Sequence, residues 1–510
     1  MRMERPSNRK FSLFFAIGLL LALLEPVILL ALGDDIGGAL WPMAVRSLDW
    51  TFFLREWSTV IFALFLLSLP FVYSRAPHSS HWEKLVATTL IGTVSGLFSI
   101  FALLNWAYYK DAFILLPTLF WFTILCAALI AGGRPTIPFN HENRLFSRSV
   151  HLALVFFSVL LLVVSPGFLA MAGLSPSPPE LNLEEGQYSV KTTIHEYPMP
   201  EEVESIQGDY EEDITFSIYL TIPKNHEGEM PLAIILHGFA NPFFTTYEDW
   251  INTLASRGMA VAFVQYPSDV MPPGYDTYEL HEEAGMSNHP FHNPRAIAID
   301  AALEFMVTIL PTEVNKNHLM IGGHSLGAGY ALLALDWALN LGWGNETLFV
   351  DLETPYARPV QDHLQVDTTG IPEDFLAHVV ISADDMSVND CFGVHHQNLL
   401  GENSLFIEVP SDRHGFPRLV ASHYLQASET HDTLADWGFY RRVASQADWL
   451  VAKVTGDEIA SENARSLLID TPELRNMGEW SDGKAVKELG IWEDAINSNT
   501  FDHCKTWTGP

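Results

Sequence analysis

The chain has 510 residues and a formal net charge of −33, from 61 acidic and 28 basic side chains. Residues 1–172 carry 9 of the acidic and 12 of the basic side chains, a net charge of +3, which leaves 52 and 16 for residues 173–510, a net charge of −36. Because an acidic surface repels phosphates, this composition argues against a nucleic-acid partner. The sequence has no Cys-x-x-Cys or His-Glu-x-x-His pattern, so we predict neither a metal site nor a cofactor.

The N-terminal part is predicted to be a transmembrane helix domain. Five apolar stretches lie at 11–32, 57–73, 86–108, 112–132 and 150–172. Each approaches the roughly 20 residues that a helix needs to cross a bilayer. Nine basic side chains lie before the first stretch or in the loops on the same side of the predicted membrane, and only three lie in the loops on the opposite side. Because positively charged loops stay in the cytoplasm, we expect a cytoplasmic N-terminus, a multi-pass location in the cell membrane, and a C-terminal domain on the outer face.

One carboxylate, Glu25, lies inside the first apolar stretch beside Pro26. An ionisable side chain within a membrane span is a functional candidate. A single such residue does not make a transport pathway, so we interpret Glu25 as a protonated or helix-paired side chain at a proline kink.

A second domain of alternating strands and helices follows a linker at 173–186. Strands are predicted at 187–195, 213–222, 232–236, 260–265, 318–322, 347–351, 377–382 and 404–409, and helices at 247–257, 293–310 and 328–341. The continuous apolar run at 232–236 is typical of a strand that is buried on both faces. The alternation predicts an α/β fold with a doubly wound, mostly parallel sheet over 187–455. Residues 456–510 form an acidic C-terminal extension to which we assign no role.

Two of the three cysteines, Cys391 and Cys504, lie in the acidic part of the chain. They could form a disulfide if that part faces an oxidising compartment. The sequence leaves open whether they do.

A serine flanked by glycines follows the predicted strand at 318–322 and precedes the predicted helix at 328–341. The segment is Gly323-His324-Ser325-Leu326-Gly327, which fits the pattern G-x-S-x-G. A strand–turn–helix context is what the nucleophile elbow of a hydrolase requires, and the turn is so tight that both flanking positions need glycine. The pattern therefore predicts that the Ser325 hydroxyl is held out at the edge of the sheet.

The region 187–455 resembles the α/β-hydrolase family, in its esterase, lipase and dienelactone-hydrolase branch. The resemblance rests on the elbow, on His237-Gly238-Phe239 after an early buried strand, and on a late acid–histidine pair. It implies an oxyanion hole made by the backbone amides of Phe239 and Leu326, with His237 in a structural role.

The late pair follows the order serine, aspartate, histidine that the family shows. Asp385 fits the aspartate of the family pattern G-x-x-D-x-x-V, and His414 follows the last predicted strand. The resemblance implies that Ser325 is the nucleophile, His414 the general base and Asp385 the residue that orients the base. Ser382 replaces the first glycine of the pattern, so Asp384 and Asp390 remain alternatives for the acid.

These residues predict a membrane-anchored serine hydrolase, and most simply a carboxylic-ester hydrolase that forms an acyl-enzyme. Its expected partners are a small-molecule or lipid ester and, through the N-terminal helices, the lipid bilayer. A peptidase or acyltransferase that uses the same triad is an alternative, as is a membrane sensor or transporter with a ligand-binding domain of this fold. The substrate and the oligomeric state do not follow from the sequence.

Overall fold

A computed structural model describes residues 8–32, 81–109, 176–204, 216–268, 292–356, 369–385, 387–415 and 417–507, with single residues between 36 and 47. The chain divides into two compact units. The first contains Met1–Pro178 and His414–Arg418, and the second contains Pro179–Arg413 and Leu419–Pro510.

In the first unit, the described residues form helices α1 (Asn8–Leu21), α2 (Leu24–Leu32) and α3 (His81–Tyr109). No described helix is by itself long and apolar enough to cross a membrane, whereas the segments Leu13–Leu21 and Leu24–Leu32 would qualify together, with a bend of 48° between them. Pro26 lies just after this bend and removes a backbone N–H that a continuous helix would need. The predicted stretches at 11–32 and 86–108 fall on these helices, and those at 57–73, 112–132 and 150–172 lie outside the described residues.

Helices α1 and α3 approach each other closely through glycine. A Cβ atom added to Gly18 would lie 2.1 Å from the Thr89 carbonyl oxygen, and one added to Gly92 would lie 2.3 Å from the Phe15 carbonyl oxygen. Any larger side chain at either position would push the helices apart. Small residues at such a contact are characteristic of helix pairs in membranes.

The second unit is built on a nine-stranded sheet with the order β1-β2-β4-β3-β5-β6-β7-β8-β9. The strands are β1 (Val190–Glu196), β2 (Ser217–Pro223), β3 (Met230–Leu236), β4 (Ala260–Val264), β5 (Val314–His324), β6 (Thr347–Glu353), β7 (Asp374–Ser382), β8 (Ser404–Val409) and β9 (Gly490–Trp492). Strands β3 to β8 are mutually parallel, whereas β1, β2 and β9 pair antiparallel with their neighbours. The predicted mostly parallel α/β sheet is confirmed.

Six helices of eight or more residues are described in this unit. They are α4 (Glu248–Ala255), α5 (His292–Ile309), α6 (Leu326–Asn340), α7 (Asp390–Leu400), α8 (Arg441–Thr455) and α9 (Glu458–Arg465). Single helical turns are described at Glu201–Glu204, Phe244–Tyr247, Ser428–Thr430, Thr433–Ala435, Asp436–Tyr440, Pro472–Arg475 and Asp502–Lys505.

The helices cover both faces of the sheet. Alternate side chains of β3 belong to two separate apolar clusters, with Ile234 in one and Ile235 in the other. The first cluster includes side chains of α5, α6 and α7, and the second includes side chains of α4, α8 and α9. The unit therefore has three layers, and the parallel strands are buried in the middle one.

Residues 456–507 pack into this unit rather than standing apart from it. Trp480 is 1% exposed, and strand β9 extends the sheet beside β8. Cys391 at the start of α7 forms a disulfide with Cys504, across 113 positions of sequence. The pairing that the sequence left open is therefore present.

Candidate active site

The segment around Ser325 makes a tight turn between β5 and α6. Ser325 has φ 54° and ψ −120°, a backbone conformation that L-residues rarely adopt. A Cβ on Gly323 would lie 2.5 Å from the Gly327 carbonyl carbon, and one on Gly327 would lie 2.3 Å from the Leu236 carbonyl oxygen. These backbone contacts explain why both positions are glycine. The Ser325 side chain does not cap α6, so its hydroxyl is not committed to the helix that it precedes.

Asp385 lies just after β7, at the same edge of the sheet as Ser325. Its Oδ1 atom accepts hydrogen bonds from the backbone amides of Ser387 at 2.7 Å and Val388 at 3.1 Å. Its Oδ2 atom is 2.7 Å from Nδ1 of His423. The Asp385 side chain is only 3% exposed, so the carboxylate is held in one orientation toward this histidine.

The histidine that meets Asp385 is His423, not the expected His414. The side chain of His423 is 6% exposed, and its Nδ1–H donates to Asp385, which leaves Nε2 as the basic nitrogen. His414 is exposed and lies in the loop between Asp412 and Leu419, whose backbones pair with each other.

The other two carboxylates considered for the acid have different surroundings. Asp384 forms an ion pair with Arg413 at 2.5 Å, and Asp390 is the first residue of α7. Asp385 is therefore the one of these three aspartates for which a hydrogen bond to a histidine is described.

The turn after β3 lies beside the serine. A Cβ on Gly238 would lie 3.3 Å from the Ser325 Cβ atom. The amides on either side of Phe239 are committed: Gly238 N–H donates to the Tyr247 hydroxyl at 3.0 Å, and Ala240 N–H donates to the Ser268 hydroxyl at 3.0 Å. Phe239 stands between these two residues in the chain, and Leu326 is the first residue of α6. An N–H in the first turn of a helix has no partner within that helix.

A chain of hydrogen bonds joins the three segments of the site through His324. The Tyr247 hydroxyl receives the Gly238 amide and donates to Nδ1 of His324 at 3.0 Å. His324 Nε2–H donates to the His423 carbonyl oxygen at 2.7 Å. Burial, together with the neighbouring His423, holds the pKa of His324 well below its usual value. His324 is therefore neutral, as this pattern of donors and acceptors requires.

His237 has the structural role that was expected from its place in the turn. It is fully buried, its Nδ1–H donates to the Gly238 carbonyl at 2.8 Å, and its Nε2 accepts from the Tyr266 amide at 3.1 Å. Burial lowers the pKa of His237 to about 4, so the ring stays neutral. Both nitrogens serve to fix the shape of the turn.

A buried ion pair supports the site from below. The Ser325 amide donates to the Glu353 carbonyl oxygen at 2.9 Å. The Glu353 carboxylate bonds to Arg442 at 2.6 Å and to Gln426 at 2.7 Å. Because Gln426 lies three positions after His423, the same carboxylate connects the serine turn with the histidine segment.

We find no basis for a metal or cofactor site among the described residues. The one group with suitable spacing is Cys391, His503 and Cys504, and its two sulfur atoms are joined in the disulfide. The segment 281–291, which contains His281, Glu282, Glu283 and His289, lies outside the described residues.

Comparison with known proteins gives no family assignment. No protein-family model matches the chain, and no curated protein matches its sequence.

Proposed function

We propose that the second unit is a serine hydrolase of the α/β-hydrolase family that cleaves carboxylic esters. The observation that carries the proposal is the 2.7 Å bond from His423 to Asp385, at the sheet edge where Ser325 sits in its positive-φ turn. The order of β1 to β8, with β2 antiparallel and the serine after β5, supports the family resemblance.

The proposed mechanism assigns one task to each residue. His423 Nε2 takes the proton from the Ser325 hydroxyl as the oxygen attacks the ester carbonyl, and then gives that proton to the leaving alcohol. Water, deprotonated by the same nitrogen, releases the acid from the acyl-enzyme. Asp385 holds the imidazole tautomer and stabilises the imidazolium. The amides of Phe239 and Leu326 stabilise the oxyanion, and losing one such donor typically costs about 10²–10³-fold in rate.

We also propose that the first unit anchors the enzyme in the cell membrane, with the hydrolase on the outer face. Apolar side chains of its helices point outward: Leu20 is 68% exposed, Val27 55% and Leu90 60%. An exposed apolar surface of this kind suits contact with lipid. The disulfide supports the outer location, because disulfides persist in oxidising compartments. Protease protection in sealed vesicles tests the orientation: cleavage of the hydrolase unit in right-side-out vesicles supports it, and full protection contradicts it.

Fluorophosphonate labelling of the full-length chain in membranes tests the catalytic proposal. Wild type should be labelled, Ser325→Ala should not, and His423→Ala should be labelled at least about 10²-fold more slowly, since a positioned base contributes that much. His414→Ala is the matched control and should be labelled at the wild-type rate. If His414→Ala loses labelling while His423→Ala keeps it, the assignment of the base is wrong. If folded wild type is not labelled, the proposed triad is refuted, and a ligand-binding role for this unit becomes the favoured interpretation.

Ester hydrolysis distinguishes the proposal from the other uses of the same triad. An esterase releases the acyl group to water. An acyltransferase shows faster release when an alcohol or amine acceptor is added, and a peptidase cleaves amide substrates at comparable rates.

A further inference from the structure

Arg295 is the one buried arginine of the described residues whose guanidinium is paired with no carboxylate and no carbonyl oxygen among them. It lies on α5 and is 0% exposed, and neither Nε, Nη1 nor Nη2 bonds to such an oxygen. The other two behave differently. Arg442 pairs with Glu353 at 2.6 Å, and Arg441 donates to the Leu474 carbonyl at 2.6 Å.

The position of Arg295 is next to the proposed catalytic turn. Its Cζ atom lies 5.7 Å from the centre of the Phe239 ring. Tyr330, a buried residue of α6, is a second neighbour: burial raises the pKa of its hydroxyl to about 12, and the charge of Arg295 and a hydrogen-bond interaction with it act in the opposite direction. A neutral phenol does not balance the charge of the guanidinium. Tyr330 follows Ser325 by five positions, a rise of about 7.5 Å along the helix. The guanidinium thus lies against Phe239 of the proposed oxyanion turn and beside the helix that Ser325 precedes.

The contact with Phe239 does not compensate for burying this charge. A cation–π contact contributes about 0.5–2 kcal/mol. The effective penalty for removing an ion from water is several kcal/mol, and buried charges in proteins are generally paired. The planar fork of an arginine fits a carboxylate or a phosphate with two parallel hydrogen bonds. The missing partner is therefore best supplied by a bound anion.

On a protein this acidic, binding an anionic substrate requires a local cation. The chain carries a net charge of −33, and its long-range field repels an anionic substrate. Such a substrate is retained only if a specific cation in the site holds it.

We propose that Arg295 binds an anionic group of the substrate, a carboxylate or a phosphodiester, and so selects esters that carry such a group a few bonds from the scissile carbonyl. This inference rests on the proposed hydrolase function and names its substrate class. Arg295 is a binding residue here and takes no part in proton transfer.

Paired substrates test the selectivity. The carboxylate arm compares the p-nitrophenyl monoester of glutaric acid with its neutral methyl glutarate counterpart, and the phosphate arm compares butyryl glycerol methyl phosphate with butyryl glycerol. The measured quantity is the ratio of kcat/KM for the anionic ester to that for the neutral one. Arg295→Gln should lower this ratio by about 10–100-fold, as expected for losing a hydrogen bond to a charged group. Arg295→Lys should restore part of it, and Lys316→Gln, which removes a cation that lies over Trp343, is the matched control.

The arm with the larger change identifies the anion. If Arg295→Gln lowers both members of a pair equally in both arms, the residue is structural and the proposal is overturned.

Binding without turnover separates this proposal from the hydrolase proposal. Monomethyl glutarate or dimethyl phosphate should raise the melting temperature of full-length Ser325→Ala, and should not raise that of Ser325→Ala/Arg295→Gln. Anion binding without fluorophosphonate labelling of wild type would keep the anion site and refute the hydrolase. Labelling of wild type without anion binding and without selectivity for anionic esters would support the hydrolase and refute the anion site.

Discussion

Removing the disulfide between Cys391 and Cys504 should strongly destabilise the second unit. We suggest replacing both with alanine, because both are 0% exposed and a serine hydroxyl would be left without a partner there. The bond closes a loop that spans 113 positions. For such a loop, the chain-entropy estimate is about 5 kcal/mol, and removing native disulfides typically costs about 2–5 kcal/mol.

The assay is thermal unfolding of the full-length chain followed by tryptophan fluorescence. A loss of 2–5 kcal/mol should lower the melting temperature by about 5–15 °C. Reductant should lower the melting temperature of wild type to that of the double variant and leave the double variant unchanged. Cys126→Ala keeps the pair and serves as the control. A double variant that melts within 2 °C of wild type would refute the reasoning, because it would show that the C-terminal segment stays in place without the crosslink.

Three further predictions concern the turn, the buried ion pair and pH. Gly327→Ala should abolish fluorophosphonate labelling, since its Cβ would lie 2.3 Å from a carbonyl oxygen, whereas Gly370→Ala meets only ordinary contacts and should be neutral. Glu353→Gln should lower the free energy of unfolding by about 1.5–3 kcal/mol, because Arg442 loses its nearest carboxylate and keeps only Asp351, 3.5 Å away. His431→Gln should be destabilising at pH 6 and nearly neutral at pH 10, as judged by melting temperatures.

The sign of the pH effect follows from the surroundings of His431. Burial lowers its pKa, but hydrogen bonds to Asp249 and Asp436 outweigh burial and raise it to about 9. A raised pKa means that the stabilisation is complete below the unfolded value of about 6.5 and is lost as the pH rises through about 9. With a third of the side chain exposed, we expect an effect of about 1 kcal/mol. A pH-independent effect would contradict the ion-pair explanation.

Each of the other two predictions has a clear opposing result. If Gly327→Ala is labelled like Gly370→Ala, the turn accommodates a side chain and steric exclusion is not why glycine is present. If unfolding of Glu353→Gln costs less than about 1 kcal/mol, Arg442 has found another partner, and the histidine segment does not depend on this pair.

The parts of the fold that could be predicted are those determined by local sequence patterns, such as apolar runs and glycine spacing. The apolar run at 232–236 lies within β3, and the elbow falls between β5 and α6 as the glycines of that segment require. Helix α7 was not predicted, because its sequence includes Gly393 and several polar residues and has only a weak apolar periodicity. Strand β9 could not be predicted from three residues, since it forms only where the C-terminal segment folds back onto β8.

The predicted base is His414, whereas the structure places His423 against Asp385. Four histidines, at positions 414, 423, 431 and 503, follow β8, and chain order does not distinguish them. The useful signal was local hydrophobicity. His423 comes after the buried run Leu419-Val420-Ala421, whereas His414 follows the exposed Arg413 and is itself exposed. To choose His423 from the sequence, one would have to give more weight to the apolar residues before it than to the closeness of His414 to strand β8.

Strand β9 also determines how the sheet ends. It has only three residues, but it covers the outer edge of β8, and Trp492 and Phe501 pack against Phe406 there. A chain that stops before Gly490 would keep every proposed catalytic residue and yet present β8 as an open edge with unpaired backbone groups. Open apolar edges recruit strands from neighbouring molecules. We therefore expect such truncations to be lost through aggregation rather than through a defect in chemistry.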